Sequence, residues 1–176
     1  DLDGKVVIVR VDVNSSIDTE KNEILDDTRI RIHAGTVKVL SEKNARVVVL
    51  AHQGRPGSAD FTTLKEHAKV LGKHVGRTIK YVNDIYGAKA QKAIKILKPG
   101  EILVLENVRM FSGERDKKSP EEHSQSELVR NLAPLADIFI NDAFAAAHRS
   151  QASLVGFTVL LPSGAGSVME RELNAL

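Results

Sequence analysis

VVVLAHQGRPG, residues 47–57, joins two kinds of sequence that make opposite demands. Its first four residues are apolar β-formers with no polar alternation, which suits a parallel strand covered on both faces. Gly54, Pro56 and Gly57 then end the strand. Ending a strand does not call for His52 or Arg55, whose burial costs desolvation. They therefore face either water or a ligand. Four further runs read as short strands in the same way: KVVIVRV (5–11), TIKYV (78–82), EILVLE (101–106) and DIFIN (137–141), beside RVVVLA (46–51).

Between these runs lie helical patterns. Residues 27–43 place Ile30, Ala34, Val37 and Leu40 on one face, and 85–97 carry Ile85, Ala88, Ile94 and Leu97 before the stop KPG. TLKE (Thr63, Glu66) reads as a capping box opening a helix over 63–76, and SPEE opens another over 119–132, with Ser119 as cap and Pro120 in the first turn. Strand and helix alternate throughout. The expectation is an α/β fold: a doubly wound parallel sheet of five to six strands with helices on both faces, in a Rossmann-like three-layer arrangement. One domain over 1–176 fits the length. The polar stretch SGERDKKSPEEHSQSE (112–127) is expected to be a solvated loop and an exposed helix face.

Composition narrows the function. Apolar residues make up 42% and charged residues 27%, the balance of a globular protein, and the net charge of +2 is too small to argue for nucleic acid. Five Phe, two Tyr and no Trp give few platforms for stacking bases. Absence of cysteine excludes disulfides, thiolate chemistry and zinc–thiolate sites. No run approaches the ~20 apolar residues of a membrane span and no signal peptide is visible, so the cytoplasm is the expected location and no membrane partner is expected. The chain opens at Asp1 and closes in SGAGSVMERELNAL, a helical pattern without a stop signal, which reads as a piece of a longer protein.

In open α/β sheets ligands bind beyond the carboxyl ends of the strands. The residues following the strands are VDVN (Asp12, Asn14), AHQGRPG (His52, Arg55), ENVR (Asn107, Arg109) and NDAFAAAHRS (Asn141, Asp142, His148, Arg149), whereas the opposite edge carries ordinary turns such as SEKNA and LKPGE. Arg29 joins the first group. It falls in the first turn of the helix starting near Asp27, where a cation opposes the helix dipole, and a broken local rule points to function. Arg29, Arg55, Arg109 and Arg149 with His52 and His148 would then face one basin. Guanidinium forks are the preferred receptors for phosphate and carboxylate, so the implied ligand is a small anion with at least two negative groups. Asp12 and Asn14 would orient a hydroxyl or hold an arginine. His33, His67, His74 and His123 fall in helical stretches and receive no functional role.

Standard sites are missing. No GxGxxG follows the first strand and no GxxxxGK[ST] occurs. PSGAGS (162–167) either offers backbone N–H groups to an anion or is a close-packed helix start, the second being the more ordinary reading. No His, Asp and Glu cluster has metal-ligand spacing, so no metal site is expected.

Taken together, VRVDVN, DDTRIR, AHQGRPG, LENVR, NDAFAAAHRSQAS and LPSGAGSVMERELNAL resemble phosphoglycerate kinase, in family order and from end to end of the chain. The resemblance is to the amino-terminal, 3-phosphoglycerate-binding half, and nearer to the archaeal branch than to others, where Gly-Thr commonly stands at 145–146 and Leu at 53. Val13 replaces the usual Phe and Ser15-Ser16 the usual Val-Pro. The resemblance implies substrate binding by Asp12, Asn14, Arg29, His52, Arg55, Arg109 and Arg149. The triose phosphate would lie among His52, Arg55, Arg109 and Arg149. Asp12 and Asn14 would lie near the C2 hydroxyl, and Arg29, the catalytic residue of the set, would meet the carboxylate and the phosphoryl group in flight. Mg-ATP or Mg-ADP would belong to a second, carboxy-terminal nucleotide domain, and this chain alone would bind 3-phosphoglycerate or 1,3-bisphosphoglycerate without turnover. A non-enzymatic module for sugar phosphates or other anions is the alternative. A nucleic-acid binder using the arginines is a remote third.

Overall fold

The computed structural model describes residues 1–146 and 149–176. In chain order the first elements are β1 (Val6–Arg10), a hairpin of β2 (Ile17–Asp18) and β3 (Glu23–Ile24), α1 (Thr28–Glu42), β4 (Arg46–Leu50) and α2 (Lys65–Val75). There follow β5 (Lys80–Tyr81), α3 (Ala88–Lys95), β6 (Ile102–Val104), α4 (Pro120–His123), α5 (Glu127–Leu132), β7 (Ile138–Asn141), β8 (Ser163–Ala165) and α6 (Ser167–Asn174). Six strands form one sheet in the order β5–β6–β4–β1–β7–β8, with every neighbouring pair parallel. The expected doubly wound α/β sheet is therefore present, with β8 as the sixth strand.

The register explains why the strands read as unbroken apolar runs. Val7 pairs with Val47 and Ile138, and Ile8 with Val48 and Phe139, so side chains of like parity line up across the sheet. One face presents Val7, Val9, Val47, Val49, Ile102 and Val104 to Ile30, Ala34, Val37 and Leu40 of α1 and to Ala68, Leu71 and Val75 of α2. The other presents Ile8, Val48, Leu50, Leu103 and Phe139 to Ala90 and Ile94 of α3 and to Leu128, Val129 and Leu132 of α5. With both faces covered, no strand position is left for a polar residue by default. β1 lies between β4 and β7. The chain therefore builds outward on one side of β1 before returning to the other, and this reversal opens a crevice at the carboxyl ends.

Several local expectations change. TLKE is not a capping box: α2 begins at Lys65 without a side-chain cap, and the Leu64 N–H donates instead to Glu106 Oε1 at 2.9 Å. A tertiary carboxylate replaces the local one. Ser119 and Glu122 do form the reciprocal box, but the expected single helix over 119–132 is broken in two, with Ser126 capping α5 through the Val129 N–H. TIKYV contributes only the two-residue edge strand β5. The 112–127 stretch is not wholly solvated, because Glu114 and His123 are buried within it.

PSGAGS forms β8 and the start of α6. The Asp142 carboxylate fills that helix N-terminus: its Oδ1 accepts from the Val168 and Met169 N–H groups at 2.9 and 3.1 Å, and its Oδ2 lies 3.0 Å from His33 Nδ1. Gly166 is required here, since a Cβ would sit 2.3 Å from Asp142 Oδ1. Among the described residues no helix is long and apolar enough to cross a membrane.

Candidate functional site

At the carboxyl ends of the strands a cleft of about 550 Å³ is bordered by Asp12, Asn14, Arg29, His52, Arg55, Arg109 and Arg149, together with Ser58 and Asp60. All seven residues selected from the sequence thus border one cavity. His148 lies outside the described residues.

One wall is buried and tightly bonded. β1 ends in Arg10, which is wholly buried and donates from Nε to Ser153 Oγ (2.8 Å), from Nη1 to the Val11 carbonyl (2.6 Å) and from Nη2 to His52 Nδ1 (2.9 Å). A guanidinium has no lone pair to offer, so His52 Nδ1 must accept and the ring's proton sits on Nε2. Burial holds His52 down at about 2, assisted by the charges of Arg10, Arg109, Arg149 and Arg29. At neutral pH the imidazole is therefore an uncharged N–H donor at the cleft's edge. Behind Arg10 stands Glu114, also fully buried, which accepts from the Ser153 N–H at 2.8 Å and from its hydroxyl at 2.5 Å. Burial pushes its carboxyl up, against the opposing pull of Arg10 and Ser153.

Arg109 completes this wall. It follows β6 in a short 3-10 turn that Asn107 caps, its Nη1 donates to the Gly54 carbonyl at 2.9 Å, and its Nε is buried without a partner among the described residues. Desolvation, then Arg10, Arg115 and Arg149, lower its guanidinium to about 10, so it stays cationic at neutral pH. Such crowding of like charge is unfavourable without an anion and favours its arrival. Asn107 also donates to the Gln53 and Thr62 carbonyls, and Gln53 binds the backbone of Ser15 through both ends of its amide (2.9 and 3.0 Å). His67 Nε2 reaches Gln53 Oε1 at 2.8 Å. The loops after β1, β4 and β6 are thereby tied into one unit. Gly54 fits because its φ is +71° and a Cβ would lie 2.7 Å from the Phe61 nitrogen.

The other wall is open. Arg29, Arg55 and Arg149 are exposed. Arg29 Nη1 rests 3.2 Å from Asp12 Oδ2 with 54% of its side chain accessible. Among the described residues, Arg55 and Arg149 have no ion-pair partner. Asp26 and Asp27 flank the start of α1 and offset the unfavourable place of Arg29 in its first turn. Asp12 accepts the Asn14 N–H and Asn14 Oδ1 accepts the Gly54 N–H at 2.8 Å, so Asp12 is already holding an arginine and Asn14 already fixes the neighbouring loop. Among the described residues no group of three or more His, Asp or Glu is placed to hold a metal.

Sequence reading passed over Arg10, Gln53 and Glu114. Arg10 had a signal, a lone charge inside the apolar run KVVIVRV. Glu114 had none, since it sits among genuinely exposed charges.

The family model for phosphoglycerate kinase matches residues 1–176. A phosphoglycerate kinase of Methanothermobacter thermautotrophicus is 57% identical over 176 residues, covering all of this chain and 43% of that protein. One from Sulfurisphaera tokodaii is 50% identical, again over the whole chain and over 42% of its own length. The crystal structure of phosphoglycerate kinase from Pyrococcus horikoshii OT3 superposes with a TM-score of 0.95 at 42% identity, covering 99% of this chain and 42% of that one. The Coxiella burnetii enzyme superposes less closely, at 0.80 and 32%, with the same coverage. The chain spans less than half the length of these relatives, and along all of it belongs to the phosphoglycerate kinase family.

Proposed function

We propose that this chain is the acceptor-substrate domain of a kinase that moves a phosphoryl group reversibly between ATP and the carboxylate of 3-phosphoglycerate, forming 1,3-bisphosphoglycerate and ADP. The observation that carries this reading is a cleft with four arginines and one neutral imidazole donor in which three of the arginines, Arg55, Arg109 and Arg149, have no ion-pair partner among the described residues. The triose phosphate takes Arg55, Arg109, Arg149 and the His52 Nε2–H. Arg29, steered by Asp12, faces the carboxylate and the charge that moves with the phosphoryl group, while the Asn14 amide N–H₂ is available to the C2 hydroxyl.

The chemistry this chain supplies is positioning and charge neutralisation. A carboxylate with a pKa of roughly 4 is ionised at neutral pH and needs no general base. Bringing two anions together without water is the difficulty, and oriented guanidinium donors in a cleft meet it. The residues present do not fit a nucleotide: there is no glycine-rich phosphate loop, and the one glycine-rich helix start is filled by Asp142. Mg-ATP or Mg-ADP therefore belongs to a second domain of the cytoplasmic full-length protein, and hinge closure aligns donor with acceptor.

The test is a titration of this chain with 3-phosphoglycerate, followed by calorimetry and NMR. Weak binding with shifts around Arg55 and Arg149, weakening as salt rises, is expected, along with no turnover in a coupled assay with ATP. No shift at millimolar ligand would refute the reading.

A further inference from the structure

We propose that Arg10, which does not itself border the cleft, is a positioning residue that fixes His52 as a neutral Nε2–H donor and so sets the affinity of the phosphate subsite. This rests on the function proposed above, and its first measurement is independent of it. Three observations carry it. Arg10 is wholly buried at the end of a strand where an apolar residue would pack more cheaply. Each of its three nitrogens has a separate acceptor, Ser153 Oγ, the Val11 carbonyl and His52 Nδ1, so three of the five N–H groups of the planar fork are engaged inside the protein, and Arg10 is not among the residues that border the cleft. Finally, the His52 ring borders the cleft while its Nε2 has no partner among the described residues.

Without a donor on Nδ1, an imidazole distributes its proton between two tautomers, and only one presents N–H to the cleft. The charged groups facing the ring are Arg10 from β1, Arg29 from α1, Arg109 from the turn after β6 and Arg149 from the segment after β7, all cationic. Of these, Arg10 alone makes a hydrogen bond to it among the described residues. Charge at Arg10 is offset from behind by Glu114, joined through Ser153, whose hydroxyl accepts from Arg10 Nε and donates to Glu114 Oε2. Segment 152–156 therefore reaches the phosphate subsite through a chain of side chains, although it is not part of the cleft wall.

The experiment is ¹⁵N-histidine NMR of the full-length enzyme between pH 5 and 8, with His52→Asn to assign the signals. In the parent, His52 is expected to show a bare Nδ1 and a protonated Nε2 that does not titrate. A protonated Nδ1 there overturns the proposal at once, whatever the protein binds. Two variants follow. Arg10→Lys keeps the charge beside Glu114 but has a single nitrogen, which cannot span the three acceptors the fork reaches, and Arg10→Met with Glu114→Gln removes both buried charges together. In each, His52 is expected to show mixed tautomers, and KM for 3-phosphoglycerate is expected to rise about tenfold, the effect of one hydrogen bond to a charged group, with kcat little changed. Equal losses of kcat and kcat/KM, or an unaltered His52 signal in the variants, would overturn it. Absence of 3-phosphoglycerate binding by the parent sinks the proposed function and leaves the tautomer result standing.

Discussion

The two walls of the cleft are built on opposite principles. Arg10, His52 and Arg109 are under a tenth exposed and held by bonds from three different strand ends, whereas Arg29, Arg55 and Arg149 project into solvent. A buried wall has its ordering entropy settled at folding and presents fixed donors. An exposed wall of long side chains is ordered only when something anionic arrives, and loses rotamer freedom then. The first kind suits recognition of a group that does not react, which in the proposed reading is the phosphate, held together with Arg55 and Arg149 from the open wall. The second suits charge that moves, the part proposed for Arg29. Rigidity and reach are thus divided between halves of one site.

The largest expected effect lies on the open wall. Arg29→Ala in the full-length enzyme should reduce kcat and kcat/KM together by about a hundredfold or more, the usual loss for one charged donor to a transition state, while 3-phosphoglycerate binding changes only a few-fold. Arg29→Lys should recover part, since a point charge cannot reproduce the fork. Steady-state kinetics with equilibrium binding decide it, and full activity in the alanine variant would erase the division between the walls.

The buried wall predicts a pH effect on the fold. Folded His52 is held at about 2 and His67, desolvated beside Gln53, at about 4, whereas unfolded imidazoles protonate near 6.5. Between those values the unfolded chain binds more protons, so stability falls as pH drops below 6.5, down to about 4 for His67 and about 2 for His52. A loss on the order of 2 kcal/mol between pH 6.5 and 5 is expected from urea unfolding of this chain. His67→Gln should shallow the slope. Stability constant over that interval would mean that the rings are solvated and the wall is not fixed.

A smaller effect separates ground-state binding from chemistry. Arg55→Ala and Arg149→Ala should each raise KM for 3-phosphoglycerate by about tenfold, and each should flatten its salt dependence, because exposed cations act through a screened field. If either variant instead lost kcat alone, that residue would belong with Arg29.

How much of this was legible in sequence depended on range. The strand ends could be lined up because apolar runs and helical periods repeat in order, and side chains that follow a strand in sequence also follow it in space. That is why Asp12, His52, Arg109 and Arg149 could be selected without coordinates. TLKE misled because the Leu64 N–H found a carboxylate 42 residues away, at Glu106, in place of the one next to it. Glu114 was hidden because burial of a charge depends on a partner 104 positions earlier, Arg10, and on Ser153 beyond it.

The sequence by itself determined the layer order, the parallel sheet and the rim on which the cations gather, since these follow from local periodicity and strand polarity. Tertiary structure alone decided which cations are free and which are committed. Arg109 differs from Arg55 and Arg149 in nothing a sequence displays; the difference is whether acceptors from distant segments converge on the guanidinium. Hydrogen-bond geometry, unlike hydrophobic pattern, is set within a few tenths of an ångström by the packing of the whole domain.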